Sequence, residues 1–108
     1  MVDAANVVGS VPDGWWRDRA GATARLRDRL AARSGPDVEV VLVVEGKARD
    51  VPSIDGVRVV AAPGSGDDTI VEVVRGATGP VRVVTSDRGL RERVRGLGAE
   101  VVGPKTIV

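Results

Sequence analysis

Short valine-rich runs, separated by segments of helical period, constrain this chain more than any other feature. The runs are "VDAANVV", "VEVVLVVE", "VRVVAA", "VRVVTS" and "AEVV". Their apolar residues are continuous rather than alternating. An alternating strand keeps one face in water, whereas a continuous β-branched run suits a strand buried on both faces, as in a parallel sheet covered by helices. Between the runs the apolar spacing becomes helical. Trp16, Ala20, Thr23, Leu26 and Leu30 mark a stripe on a helix expected over Trp15 to Ser34. Ile70, Val73, Val74 and Ala77 mark a second helix, and Leu90, Val94 and Leu97 a third.

Gly35-Pro36, Gly79-Pro80 and Gly98 mark the helix exits. The link from Gly46 to Gly56 has no helical period, and it is about as short as a parallel crossover can be. The expected order is therefore β-α-β-loop-β-α-β-α-β. This is an α/β fold, a three-layer α/β/α sandwich with a mainly parallel five-stranded sheet. At 108 residues, with no linker or low-complexity tract, residues 1–108 read as a single domain.

Composition matters mainly through what is missing. The chain has no His, Cys, Tyr or Phe. Ser-His-Asp and Cys-His nucleophilic systems and His or Cys zinc sites are excluded within it, as are disulfides. An enzyme built from this alphabet must work with carboxylates, Arg, Lys, Ser or Thr, most simply around an oxygen-ligated Mg²⁺ or Mn²⁺. No apolar run reaches the ~18 residues of a membrane span and no secretion signal is visible, so a cytoplasmic protein with no membrane partner is expected. The basic residues are mostly Arg, a bias expected of a GC-rich bacterial genome. The net charge of +1 gives no global attraction to nucleic acid. Locally, "RDRAGATARLRDRLAAR" and "DRGLRERVR" concentrate arginine, which suits the solvated faces of two helices or a phosphate-binding rim.

The acids fall where such sheets bind ligands, beyond the carboxyl ends of the strands. Asp3, followed by Asn6, lies in the first run; Glu45 ends the second; "APGSG" after the third leads to Asp67 and Asp68; "VVTSD" ends the fourth at Asp87. Each acid alone has an ordinary explanation. Asp67 or Ser65 could cap the helix they precede, Asp68 could sit in its favourable first turn, and Asp87 or Ser86 could cap the last helix. Several carboxylates on one edge repel one another unless a divalent cation balances them, and caps alone need only Ser, Thr or Asn.

In these residues the chain resembles NYN domains, the branch of the PIN-like nuclease superfamily that includes the YacP-like bacterial proteins. "DAANVVGS" is similar to their opening D-x-x-N motif, and "VVLVVEG" stands where they have a strand ending in an acid. "GSGDDTIVEVV" is similar to their helix-opening segment, and "VRVVTSDRGL" to their strand ending in Thr-Ser-Asp. The resemblance runs in order through nearly the whole chain. It implies a 3-2-1-4-5 sheet and a metal-dependent RNase site. Carried across, Asp3, Asp68 and Asp87 are the core ligands for Mg²⁺ or Mn²⁺ and Asn6 orients Asp3. Asp67 is a further ligand or the helix cap, with Asp67 the better cap and Asp68 the better ligand. Glu45 stands where Asp is common. Only Met1 and Val2 precede Asp3, where the family has more apolar residues; either the strand is trimmed or the chain begins downstream of its natural start.

The implied substrate is RNA, single-stranded or structured. The metal would activate a water and stabilise the phosphodiester, Ser86 would support the site, and Lys47, Arg49 and Arg88 would hold the backbone. Of the two aromatics, Trp15 and Trp16, one is expected in the core and the other open to stacking on a base. The main alternative is a catalytically silent NYN-type module that binds RNA or a protein. A receiver-like domain would need a phosphoacceptor Asp ending a central strand and a Lys ending a later one; Glu45 stands nearest the first place, and the only late Lys is Lys105. "PGSGDDT" lacks the Lys of a phosphate loop. A homodimer or an RNA-processing partner stays open.

Overall fold

The computed structural model describes residues 1–10, 14–36 and 38–106, apart from the side chains of Trp15 and Thr106. Five strands run β1 (Val2–Asp3), β2 (Val40–Val44), β3 (Val57–Ala61), β4 (Arg82–Val84) and β5 (Glu100–Val102). Among the described residues four α-helices accompany them: α1 (Ala4–Gly9), α2 (Arg19–Ala31), α3 (Gly66–Gly76) and α4 (Arg88–Arg95). The sheet order is β3-β2-β1-β4-β5 and every pairing is parallel, as expected from the continuous valine runs.

β2 shows why those runs carry no alternation. Val40, Leu42 and Val44 join a core on one side of the sheet with Val7, Val8, Leu26 and Leu30, from α1 and α2. Val41 and Val43 join the other core with Ile70, Val71, Val74, Leu90 and Val94, from α3 and α4. Both faces of the strand are dry, so both need apolar residues. Burying a side chain such as Leu42 or Ile70 contributes roughly 1.5–3 kcal/mol.

The short β2–β3 connection is a true parallel crossover, with all five residue pairs from Val40–Val57 to Val44–Ala61 in register. It holds only the single 3₁₀ turn Gly46–Ala48.

The amino-terminal third departs from the sequence expectation. "VDAANVV" is not one strand. β1 stops at Asp3, whose side chain caps α1, and Ala4 to Gly9 are helical. Asp followed by two alanines is a cap followed by good helix formers, and that local preference prevails over the β propensity of Val7 and Val8. Trp15–Arg17 form a 3₁₀ turn, and α2 begins only at Arg19, capped by Asp18. The buried stripe of α2 is accordingly Ala22, Thr23, Leu26 and Leu30, while Trp16 is 58 % exposed. The side chain of Trp15 lies outside the described residues.

Candidate active site

Parallel pairing puts the carboxyl ends of all strands on one edge, and the central place of β1 puts Asp3 in its middle. Asp3 is 6 % exposed. Its Oδ1 accepts the backbone N–H of Asn6 at 3.4 Å, and its Oδ2 accepts the hydroxyl of Thr85 at 3.1 Å. Burial raises the carboxyl above its ordinary range to about 6; the two hydrogen bonds oppose the rise, and the charges of Asp67 and Glu45 add to it.

Thr85, fully buried at the end of β4, was not picked out by sequence reasoning. It joins two of the acids, because its Oγ1 donates to Asp3 and accepts the backbone N–H of Asp87 at 3.1 Å. Arg91 fixes the strand end from α4, its Nε donating to the Thr85 carbonyl at 3.0 Å. The signal in the sequence was a hydroxyl residue at the end of a dry strand, two places before an acid.

Asp87 caps α4, its Oδ1 accepting the N–H of Leu90 at 2.8 Å. Asn6 meets Asp3 through its backbone. Its side-chain Oδ1 instead accepts the N–H and the hydroxyl of Ser86, at 2.8 and 3.0 Å, tying α1 to the end of β4. Glu45 reaches from β2 to the first turn of α3, where its Oε2 accepts the N–H of Gly66 at 2.5 Å. A Cβ at residue 66 would stand 3.1 Å from that oxygen, so glycine is what lets the carboxylate approach so closely.

The Asp67–Asp68 pair divides differently from the sequence expectation. Ser65, not Asp67, caps α3, accepting the N–H of Asp67 at 3.2 Å. Asp67 is half-buried, and its carboxyl is raised by burial and by the charges of Asp87 and Glu45, with Arg93 opposing. Asp67 thus shares an electrostatic environment with Asp3, Glu45 and Asp87. Asp68 is directed elsewhere: its side chain is 73 % exposed and accepts from Arg93 Nη2 at 3.0 Å. Neighbouring residues of a helix diverge by about 100°, so the two aspartates cannot face the same way. Lys47, Arg49 and Arg88 are exposed in the segments that leave this edge.

As it stands, among the described residues, no three acids form a ready-made metal-holding group. The donors are all carboxylate or hydroxyl oxygens, the chemistry that suits Mg²⁺ or Mn²⁺ rather than a softer ion. A cavity of about 160 Å³ opens beside Glu45, between α1 and α2, with Ala4, Val8, Arg19 and Ala48 in its wall. A larger hollow, about 770 Å³, lies at the opposite edge around Ser34, Val38, Ile54 and Arg58. Asp3, Glu45, Asp67 and Asp87 take no part in its wall.

No family model and no curated protein matches the sequence. The fold is similar to the crystal structure of Rae1 (YacP) from Bacillus subtilis, with a TM-score of 0.74 at 19 % identity, over 98 % of this chain and 69 % of that one. The chain therefore has a YacP-like fold.

Proposed function

We propose that this chain is an NYN-type, metal-dependent ribonuclease domain that hydrolyses RNA phosphodiester bonds at the acidic edge. One observation carries the reading. Asp3 is a buried carboxylate among other acids, with no cation paired to it among the described residues, and its pKa is raised to about 6. A divalent ion would favour its charged form and offset the repulsion from Asp67 and Glu45.

Asp3, Asp87 and Asp67 are the residues to hold Mg²⁺ or Mn²⁺, with Glu45 beside them. Asp67 takes the place that motif resemblance gives to Asp68. The ion supplies an activated water and positive charge for the reacting phosphate, which suits a chain without His. The protein's own part is to hold the oxygens. Thr85 fixes Asp3 and the start of α4, and Asn6 fixes Ser86. Lys47, Arg49 and Arg88 hold the RNA backbone by charge-assisted hydrogen bonds.

The test is cleavage of single-stranded and structured RNA with Mn²⁺. Wild type should cut, whereas EDTA, Asp67→Asn or Asp87→Asn should abolish cutting. Activity that survives EDTA, or survives both substitutions, overturns the proposal. A second reading, an inert RNA-binding module, has support of its own: Asp3, Glu45 and Asp87 each already accept a backbone N–H at the start of a helix. That module would bind RNA without Mn²⁺-dependent turnover.

A further inference from the structure

The ion pair between Asp68 and Arg93 differs in place from the other surface pairs. Arg58–Glu39 and Arg82–Glu100 link neighbouring strands near their amino ends, and Arg75–Glu72 and Arg27–Asp28 each lie within one helix. Arg93–Asp68 joins α4 to the first turn of α3, at the edge that carries the acids. One guanidinium nitrogen, Nη2, makes the contact, and both side chains are well exposed, 46 % for Arg93 and 73 % for Asp68. The charge of Arg93 is also felt at Asp67.

Resting on the ribonuclease reading, we infer that Arg93 is a contact for an RNA backbone phosphate and that Asp68 holds it in reserve. Without RNA the guanidinium stays on Asp68. A phosphate approaching the acids takes the guanidinium over from that carboxylate.

Three physical points lead to this exchange. An edge lined by Asp3, Glu45, Asp67 and Asp87 repels a polyanion, so RNA needs cations on the rim on either side of it. Lys47 and Arg49 stand on the β2 side; Arg93 is the arginine on the α3–α4 side whose charge reaches an acid of the cluster. An exposed ion pair is weak, whereas a guanidinium fork can bind phosphate through two parallel bonds, so the exchange favours phosphate. The second aspartate of the pair then has a role distinct from the first. Asp67 belongs to the acids, and Asp68 competes with the substrate for Arg93.

The experiment measures binding of a labelled single-stranded RNA oligonucleotide in EDTA, so that no cleavage enters the readout. It compares wild type, Asp68→Ala, Arg93→Ala and the double variant. Asp68→Ala should tighten binding about two- to fivefold, the scale of a released exposed ion pair, and Arg93→Ala should weaken it. The slope of log affinity against log salt should fall by about 0.7 in Arg93→Ala, as for the loss of one phosphate contact on a single strand. In the Arg93→Ala background, removing Asp68 should gain little. Equal tightening by Asp68→Ala in both backgrounds would mean that Asp68 acts only as a general negative charge, and it overturns the inference. An Arg93→Ala protein with wild-type affinity and salt slope does the same. A wild-type protein that binds no RNA in EDTA also overturns the inference, whereas the ribonuclease reading falls only if Mn²⁺-dependent cleavage is absent as well, which separates the two failures.

Discussion

Replacing Asp3 by Asn should make the metal-free protein more stable at neutral pH. In the folded chain the Asp3 carboxyl is raised by burial to about 6, from an ordinary value of 3.8. Between those values the native state keeps a proton that the unfolded chain has released. The unfolded state therefore binds fewer protons, and this group's contribution to stability falls as pH rises from about 4 to about 6, then stays low. At 1.36 kcal/mol per pK unit, holding Asp3 ionised costs about 3 kcal/mol at pH 7. Asn removes that cost and still caps α1, because its side-chain oxygen can accept the Asn6 N–H; it gives up the acceptor for the Thr85 hydroxyl, a loss that does not vary with pH, so the pH dependence is the readout. Urea unfolding of both proteins in EDTA, from pH 4 to pH 8, isolates the residue. The stability of Asp3→Asn minus that of wild type should climb by about 2 kcal/mol across pH 4–6 and level off near pH 7. Mn²⁺ added at pH 7.5 should then stabilise wild type, by about 2.7 kcal/mol at a hundredfold excess over the dissociation constant, and leave Asp3→Asn nearly unmoved. A difference that stays flat with pH would refute the burial argument. Equal stabilisation of both proteins by Mn²⁺ would remove Asp3 from the metal site.

Thr85→Val removes a hydroxyl that both donates to Asp3 and accepts from the Asp87 N–H. It should cost about 1–3 kcal/mol, as expected when buried partners are left unpaired. Because the lost bond lowers the Asp3 pKa, the pH-dependent step described for Asp3 should also move upward, measurable in the same titration. At position 87, Asn and Ala separate cap from ligand. Asp87→Ala should lose about 1 kcal/mol of helix cap and Asp87→Asn far less, read by thermal unfolding, while both should lose Mn²⁺-dependent cleavage.

The parallel sheet was legible because β2 is dry on both faces, which forces apolar residues at every position from Val40 to Val44. The acidic edge followed from the strand ends alone, since parallel strands share a carboxyl edge. α1 was not legible as a separate helix. At six residues it is too short to show a period, and Val7 and Val8 read equally well as strand. Trp16 was drawn into the stripe of α2 by spacing alone, but it precedes the cap Asp18 and belongs to the 3₁₀ turn. The choice between Asp67 and Asp68 depends on rotation about the helix axis. Once Ser65 is the cap, Asp67 falls toward Glu45 and Asp87, and Asp68 toward α4 and Arg93. The sequence offered both Ser65 and Asp67 for that cap and led to Asp67 as cap with Asp68 as ligand, so the direction of each acid had to come from the structure.

The double use of the acids explains why cap and site were so hard to tell apart. Asp3 and Asp87 cap helices, and Glu45 takes the first free N–H of α3. Those bonds hold the carboxylates at the strand ends before any ligand arrives, and at Asp3 they pull against the rise that burial imposes. They do not cancel it, since Asp3 stays near 6. A cap by itself requires no charge, and Asn or Ser at position 3 would serve α1 without the electrostatic cost. Against a typical net stability of about 5–15 kcal/mol for a domain, a cost near 3 kcal/mol is large. What can offset it is a cation at this edge, and the catalytic reading of the fold depends on that cation. The metal-free excess stability of Asp3→Asn and its indifference to Mn²⁺ are therefore two sides of one claim.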